Sequence, residues 1–216
     1  MKPLDALLFD LDGVIADSRH AISRCINHAL SAHGLPEQPE SDLHACIGPP
    51  LLHAFRDLLV RLEADVALAD ACVTAYRERY ATTCLVETLP YPGVGRVVEA
   101  LAMRLPLAVA TSKPTRFADP ILAELGLRGS FRAVVGPGLE ARSETKSETV
   151  ARALDALGRP ERAAIVGDRH HDVEAARANG IAAIGVTWGF GSRAELESAG
   201  ADCLVDSPEE LLSRIG

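Results

Sequence analysis

The sequence predicts an α/β fold, a doubly wound parallel sheet interrupted by an all-helical insertion, and three observations carry that expectation. A short apolar run at residues 4–9 ends abruptly in Asp10-Leu11-Asp12-Gly13. From residue 94 onward, short apolar runs alternate with stretches of helical periodicity. Between these two regions, residues 18–81 show helical spacing alone. Short strands separated by helices imply parallel pairing, because a crossover long enough to hold a helix brings the next strand back in the same direction.

Residues 4–9 read as a buried strand that runs into a turn at Gly13. In the helical stretch, Ile22, Ile26, Ala29 and Leu30, then Leu51, Leu52, Phe55, Leu58, Leu59 and Leu62, recur at the spacing of one helix face. Tyr91-Pro92-Gly93 breaks that pattern. Helix is expected from Val94, strand at 107–110, helix at 117–125 and strand at 133–135. Helix follows at 148–157, strand at 163–166, helix at 173–178, strand at 182–186, and a last short strand near Leu204 before a terminal helix. The expected division is a core of residues 1–16 and 90–216 and a helical domain of residues 17–89, with hinges near Asp17 and Pro90. Neither an internal repeat nor a low-complexity segment is present.

Composition narrows the function. A chain of 216 residues with 48% hydrophobic content can bury a full core. The net charge is -8 and the 22 basic residues are scattered, which argues against a nucleic acid polymer as partner. The apolar run before Asp10 is too short for a signal peptide or a membrane span, so a cytoplasmic protein without a membrane partner is expected. Cys25, Cys46, Cys72, Cys84 and Cys203 are odd in number and contain no CxxC pair, which points to reduced, packed thiols rather than a disulfide framework or zinc site.

In an open parallel sheet, ligands bind beyond the carboxyl ends of the strands. Four such places carry unusual polar residues: Asp10 and Asp12; Thr111, Ser112 and Lys113; Lys146; and Asp168 and Asp172. Asp10 and Asp12 alternate along an extended backbone and lean to the same side, so one acid could attack while its neighbour transfers protons. Two further acids at Asp168 and Asp172 crowd like charges together, and a cation is needed among them. A magnesium ion fits this set of oxygen donors, whereas His170 and His171 lack the third nitrogen or sulfur ligand of a zinc site. Thr111 and Ser112 offer a hydroxyl and backbone N–H groups of the kind that cradle phosphate. Each feature taken singly has a structural alternative, a helix cap for Asp168 or Thr111 and a solvated charge for Lys146, but their order along the chain is hard to attribute to chance.

These motifs, Phe9-Asp10-Leu11-Asp12-Gly13-Val14, Ala110-Thr111-Ser112-Lys113-Pro114, Lys146 and Val166-Gly167-Asp168-Arg169-His170-His171-Asp172, resemble those of the haloacid dehalogenase-like (HAD) hydrolase superfamily across nearly the whole chain. The resemblance implies a Rossmann-like core with a small helical cap. It implies Asp10 as nucleophile, Asp12 as acid and base, and Thr111, Ser112 and Lys146 as phosphate-binding residues. It places magnesium on the side chains of Asp10 and Asp168 and the backbone carbonyl of Asp12, with Asp172 close behind. Lys113 stands as a weak substitute for Lys146, whose spacing from Arg142-Ser143 is slightly longer than the family pattern.

The expected reaction is hydrolysis of a small phosphorylated metabolite through an aspartyl phosphate, by a monomer or homodimer. Asp12 argues against halide chemistry, which needs no second acid. The spacing of His20 from Asp12 argues against a phosphomutase, and the early position of the acids argues against a non-catalytic phospho-receiver. Asp-Leu-Asp-Gly-Val with Asp17-Ser18 is similar to phosphoglycolate phosphatases, which makes 2-phosphoglycolate the first expectation for substrate. Ile47-Gly48-Pro49-Pro50, Phe55-Arg56, Tyr76-Arg77-Glu78-Arg79-Tyr80 and Gly167-Asp168-Arg169 resemble a 5′-nucleotidase-like branch. Gly48 and Arg56 are therefore candidates for substrate contact. Trp188, in the loop Trp188-Gly189-Phe190-Gly191, is a third, either packing against the cap or stacking on a nucleobase.

Overall fold

The computed structural model describes residues 3–139 and 144–215. The chain divides into two compact units, Met1–Asp17 with Pro90–Gly216 and Ser18–Leu89. The first unit is built on a six-stranded sheet: β1 (Ala6–Phe9), β2 (Leu107–Ala110), β3 (Ala133–Val135), β4 (Ala163–Gly167), β5 (Ala182–Val186) and β6 (Cys203–Val205). Every neighbouring pair is parallel, and the spatial order is β3-β2-β1-β4-β5-β6. The chain thus winds outward from β1 in one direction and then, from β4, in the other. The loops after β1 and β4 lie at the reversal, where such sheets open a crevice.

The strands are continuous apolar runs because both faces are covered. On one face Leu8, Ala108 and Ile165 pack with Val150, Ala153, Val173 and Ala176 from the helices Lys146–Ala156 and His170–Ala178. Residues one step along point to the opposite face by the two-residue period, where Phe9 meets Phe131 edge-on with ring centroids 6.0 Å apart. The helices Val94–Ala102 and Pro208–Ile215 pack together in the same unit.

The second unit is helical, built on Arg19–Ala32, Leu51–Arg61 and Ala69–Glu87 with shorter turns between them. Arg19–Ala32 lies against Ala69–Glu87 through a buried stripe of Ala21, Ile22, Cys25, Ile26, Ala29 and Leu30. Tyr76 and Tyr80, one helical turn apart, stack at 5.3 Å, and Phe55 meets Tyr76 edge-on. All five cysteines are free thiols, and only Cys203 is not fully buried. No described helix is long and apolar enough to cross a membrane.

Two differences from the expected elements have physical causes. Helices begin two or three residues earlier than apolar periodicity places them, at Thr115, Lys146 and His170, because their first turns are polar. The helix Arg193–Ala199 was not expected at all, since Leu196 is its only buried residue and a single apolar contact makes no periodic pattern.

Leu8 is fully buried and pairs with Ala108 and Ile165 on either side. Leu8→Ala is expected to cost about 2–5 kcal/mol, whereas Met103→Ala, at a side chain 83% exposed, stays within about 0.5 kcal/mol. Urea denaturation of the two variants beside wild type checks the contrast.

Candidate active site

Three central strands end within one residue of one another and hand their next residues to the same edge. Phe9 is in register with Val109 and with Val166. Asp10, Thr111 and Asp168 therefore follow at one place. The Asp10 N–H donates to the Val166 carbonyl at 2.9 Å, which holds the residue to the edge. Its Oδ1 accepts the Leu11 N–H at 2.7 Å, and its Oδ2 lies 2.8 Å from Nζ of Lys146. The chain then turns, with the Leu11 carbonyl accepting the N–H groups of Ile15 and Ala16, both at 2.9 Å. Gly13 in that turn has φ 85°, where a residue with a Cβ is strained.

Asp12 Oδ1 stands 2.6 Å from Nζ of Lys113, with the two side chains 16% and 6% exposed. Sequence reasoning offers Lys113 only as a weak substitute for Lys146, but the structure gives each lysine its own acid. Thr111 is buried and its Oγ1 accepts the Lys113 N–H at 3.1 Å, while Ser112 beside it is exposed. Neither caps the following helix, whose N-cap position is Pro114.

Lys146 opens its helix behind a reciprocal cap, in which Thr145 Oγ1 accepts the Glu148 N–H and the Glu148 carboxylate accepts the Thr145 N–H. From there Nζ reaches both Asp10 Oδ2 and Asp172 Oδ1, each at 2.8 Å, and the side chain is only 7% exposed. A solvated surface lysine is thereby excluded. Asp172 lies in the first turn of the helix His170–Ala178, and its Oδ2 accepts the Arg169 N–H at 3.2 Å. Gly167 is needed beneath it, since a Cβ there would fall 2.2 Å from the Asp172 Cβ. Asp168 is not the cap of that helix. Its Oδ2 accepts the Phe190 N–H at 2.7 Å, and its buried Oδ1 has no hydrogen-bond partner.

Asp10, Asp168 and Asp172 bring one carboxylate oxygen each to within 4.8 Å of one another. Burial raises Asp10 to about 6; Lys146 opposes that shift, and the Asp172 and Asp12 charges add to it. Burial, then Asp172 and Asp10, push Asp168 well above the usual carboxylate range. Burial works against the charge of Lys146, yet Asp10 and Asp172 outweigh it and shift the amine upward. Two lysines set against four carboxylates leave a surplus of negative charge. A buried carboxylate oxygen without a partner inside such a group suits a hard divalent cation with oxygen ligands. Asp172, expected just behind the ion, has its oxygen in the same cluster as the other two acids.

Gly48, at φ 107°, and the exposed Arg56 belong to the helical unit. The Trp188 indole N–H donates to the Val14 carbonyl at 3.1 Å, so its polar end is tied to the loop after β1. Arg142 and Ser143 lie outside the described residues.

A family model described as haloacid dehalogenase-like hydrolase matches residues 7–186. The chain is 39% identical over 194 residues to a 5′-nucleotidase of Pseudomonas aeruginosa, covering 89% of this chain and 86% of that protein. It is 32% identical over 216 residues to a phosphoglycolate phosphatase of Chromobacterium violaceum, covering 98% and 96%. Among solved structures, a protein described as a predicted phosphatase from Clostridium acetobutylicum superposes with a TM-score of 0.90 at 33% identity, covering 99% of each chain.

Sequence reasoning missed Glu195, although Ser192 stands three residues before it at capping spacing. Its Oε1 accepts the Arg169 Nε–H at 2.9 Å and the His170 N–H at 3.0 Å, and lies 2.6 Å from His170 Nδ1. Burial opposes its charge, but the Arg169 and His170 hydrogen bonds prevail and lower it from 4.5 to about 2. A lowered carboxylate stabilises the fold above its unfolded value and loses that contribution as pH falls toward the folded one. Glu195→Gln is therefore expected to melt below wild type at pH 7, with the gap closing between pH 4.5 and about 2, as followed by thermal denaturation across pH.

Proposed function

The chain belongs to the haloacid dehalogenase-like hydrolase family, and we propose that it is a magnesium-dependent phosphomonoester hydrolase that works through a phosphorylated Asp10. It is a hydrolase of the phosphatase kind. The observation that carries the fuller reading is Lys146, held 2.8 Å from both Asp10 and Asp172 inside a buried group of acids. An arrangement built only for stability would not bury more carboxylates than it neutralises.

In this reading Asp10 supplies the attacking oxygen. As it bonds to phosphorus, the ester P–O bond breaks, and Asp12 gives its proton to the departing alkoxide. Asp12 then takes a proton from water, whose oxygen attacks the same phosphorus. The bond to Asp10 breaks, releasing inorganic phosphate and restoring the nucleophile. Lys113, 2.6 Å from Asp12, keeps that side chain aimed at the leaving oxygen. Lys146, Thr111 and the Ser112 backbone receive the phosphoryl oxygens and offset charge as the transition state forms. Asp10, Asp168 and the Asp12 carbonyl, with Asp172 beside them, would hold magnesium, which supplies the positive charge that lets two anions approach.

For substrate, the relative at 39% identity favours a nucleoside 5′-monophosphate, and the relative at 32% supports 2-phosphoglycolate as the second reading. The helical unit Ser18–Leu89 is the proposed cap, and Gly48 and Arg56 are its proposed contributors to substrate choice. Free cysteines throughout suit a reducing cytoplasm.

The test is phosphate release from a panel that includes both substrate types, with magnesium. Asp10→Asn is expected to lower the rate by roughly four orders of magnitude or more. Asp12→Asn is expected to lose roughly 10²–10⁴-fold with an alkyl phosphate and much less with p-nitrophenyl phosphate, whose leaving group needs no proton. Equal losses on both would remove Asp12 from the acid role. At limiting magnesium the acid limb of the rate profile should lie near pH 6, where Asp10 protonates, and move lower as magnesium saturates, because a cation favours the ionised form. Calcium in place of magnesium is expected to inhibit, through its larger and looser coordination.

A further inference from the structure

The turn Trp188-Gly189-Phe190-Gly191 follows β5 and packs against Asp168. The contact is made by backbone. Besides the Phe190 N–H on Asp168 Oδ2 at 2.7 Å, a Cβ on Gly189 would fall 2.4 Å from the Asp168 Cβ and 2.4 Å from the Gly13 carbonyl. A Cβ on Gly191 would fall 1.9 Å from the Asp168 carbonyl. Neither glycine has a positive φ, so their backbone conformations are open to other residues and it is space that requires glycine. Gly13 closes the ring from the first loop, where a Cβ would meet Asp168 Oδ2 at 2.1 Å and the Phe190 ring at 2.8 Å.

The turn itself is anchored at both ends. Trp188 Nε1–H donates to the Val14 carbonyl at 3.1 Å, tying its start to the loop after β1. Beyond its end, Glu195 receives the Arg169 side chain and the His170 N–H, fixing the chain just after Asp168. One oxygen of Asp168 is thus occupied by a backbone donor, and the other is buried and bare.

We propose that Gly189, Gly191 and Trp188 are positioning residues for the metal site, which spend one oxygen of Asp168 on the Phe190 amide so that the other is presented to a divalent cation. The inference rests on the metal reading of Asp10, Asp168 and Asp172 given above. A carboxylate free to rotate would share its oxygens among several donors, and outer partners of this kind set the affinity of the ligand they orient.

The test is Mn2+ binding to the substrate-free protein, read by the loss of free Mn2+ signal in electron paramagnetic resonance, with thermal unfolding measured without metal. Gly189→Ala is expected to weaken Mn2+ binding roughly 10–100-fold. Trp188→Phe, which keeps the ring but not the N–H, is expected to weaken it roughly threefold while remaining folded. A purely structural role predicts a lower melting temperature with an unchanged dissociation constant in both variants, and that result overturns the proposal. Absence of Mn2+ binding in wild type overturns both this inference and the metal reading. Wild-type binding with unchanged constants in the variants overturns this inference alone.

Discussion

Four carboxylates gathered at one sheet edge, mostly out of water, are the constraint around which this molecule is arranged. Like charges in a poorly solvated place repel, and burial pushes Asp10 and Asp168 toward taking up a proton. Lys146 between Asp10 and Asp172, and Lys113 on Asp12, offset part of that repulsion. The rest is left standing at Asp168, whose second oxygen has nothing to bond. The reversal of winding between β1 and β4 makes the gathering possible, because loops leaving these neighbouring strands part from each other and leave room for a ligand.

Beneath the edge the central strands are apolar. β1, β2 and β4 are short runs of alanine, leucine, isoleucine, valine and phenylalanine ending in one glycine, and all their residues are buried. Alanines at 108, 110, 153, 163, 175 and 176 let the flanking helices approach closely, which fixes the helix starts at Lys146 and His170 relative to the strand ends. The apolar sheet thus serves as the rigid base on which charged groups can be held to a few tenths of an ångström.

Much of this was legible in the sequence. The strands at 107–110, 133–135 and 182–186 have the expected bounds, since an apolar run closed by polar residues marks its own ends. Asp10, Asp12, Thr111, Lys146, Asp168 and Asp172 all stand at the carboxyl edge because each follows a strand within three residues or lies in the first turn of a helix there. What was not legible depends on nearness across the fold. Lys113 reads as an ordinary charge until Asp12, a hundred residues away, is seen beside it. Glu195 sits on a helix with too little apolar pattern to announce itself. Gly189 and Gly191 read as loop flexibility, whereas their reason is the volume of Asp168. Strand order likewise leaves no mark on local periodicity.

The position of the helical unit within the chain also sets the timing of assembly. β1 is made before its two partners, since β2 starts at Leu107 and β4 at Ala163. At ordinary rates of translation, roughly 5–20 residues per second, β4 emerges about 10–30 seconds after β1. During that interval the helices of Ser18–Leu89 can fold, but the central strand has no neighbour until β2 emerges and only that one until β4 follows. Ala6–Phe9 is apolar throughout, and its four residues are too few to make a long sticky edge. Its brevity therefore protects the nascent chain during the wait, and the surroundings of Asp10 come together only when the second half of the protein has been synthesised.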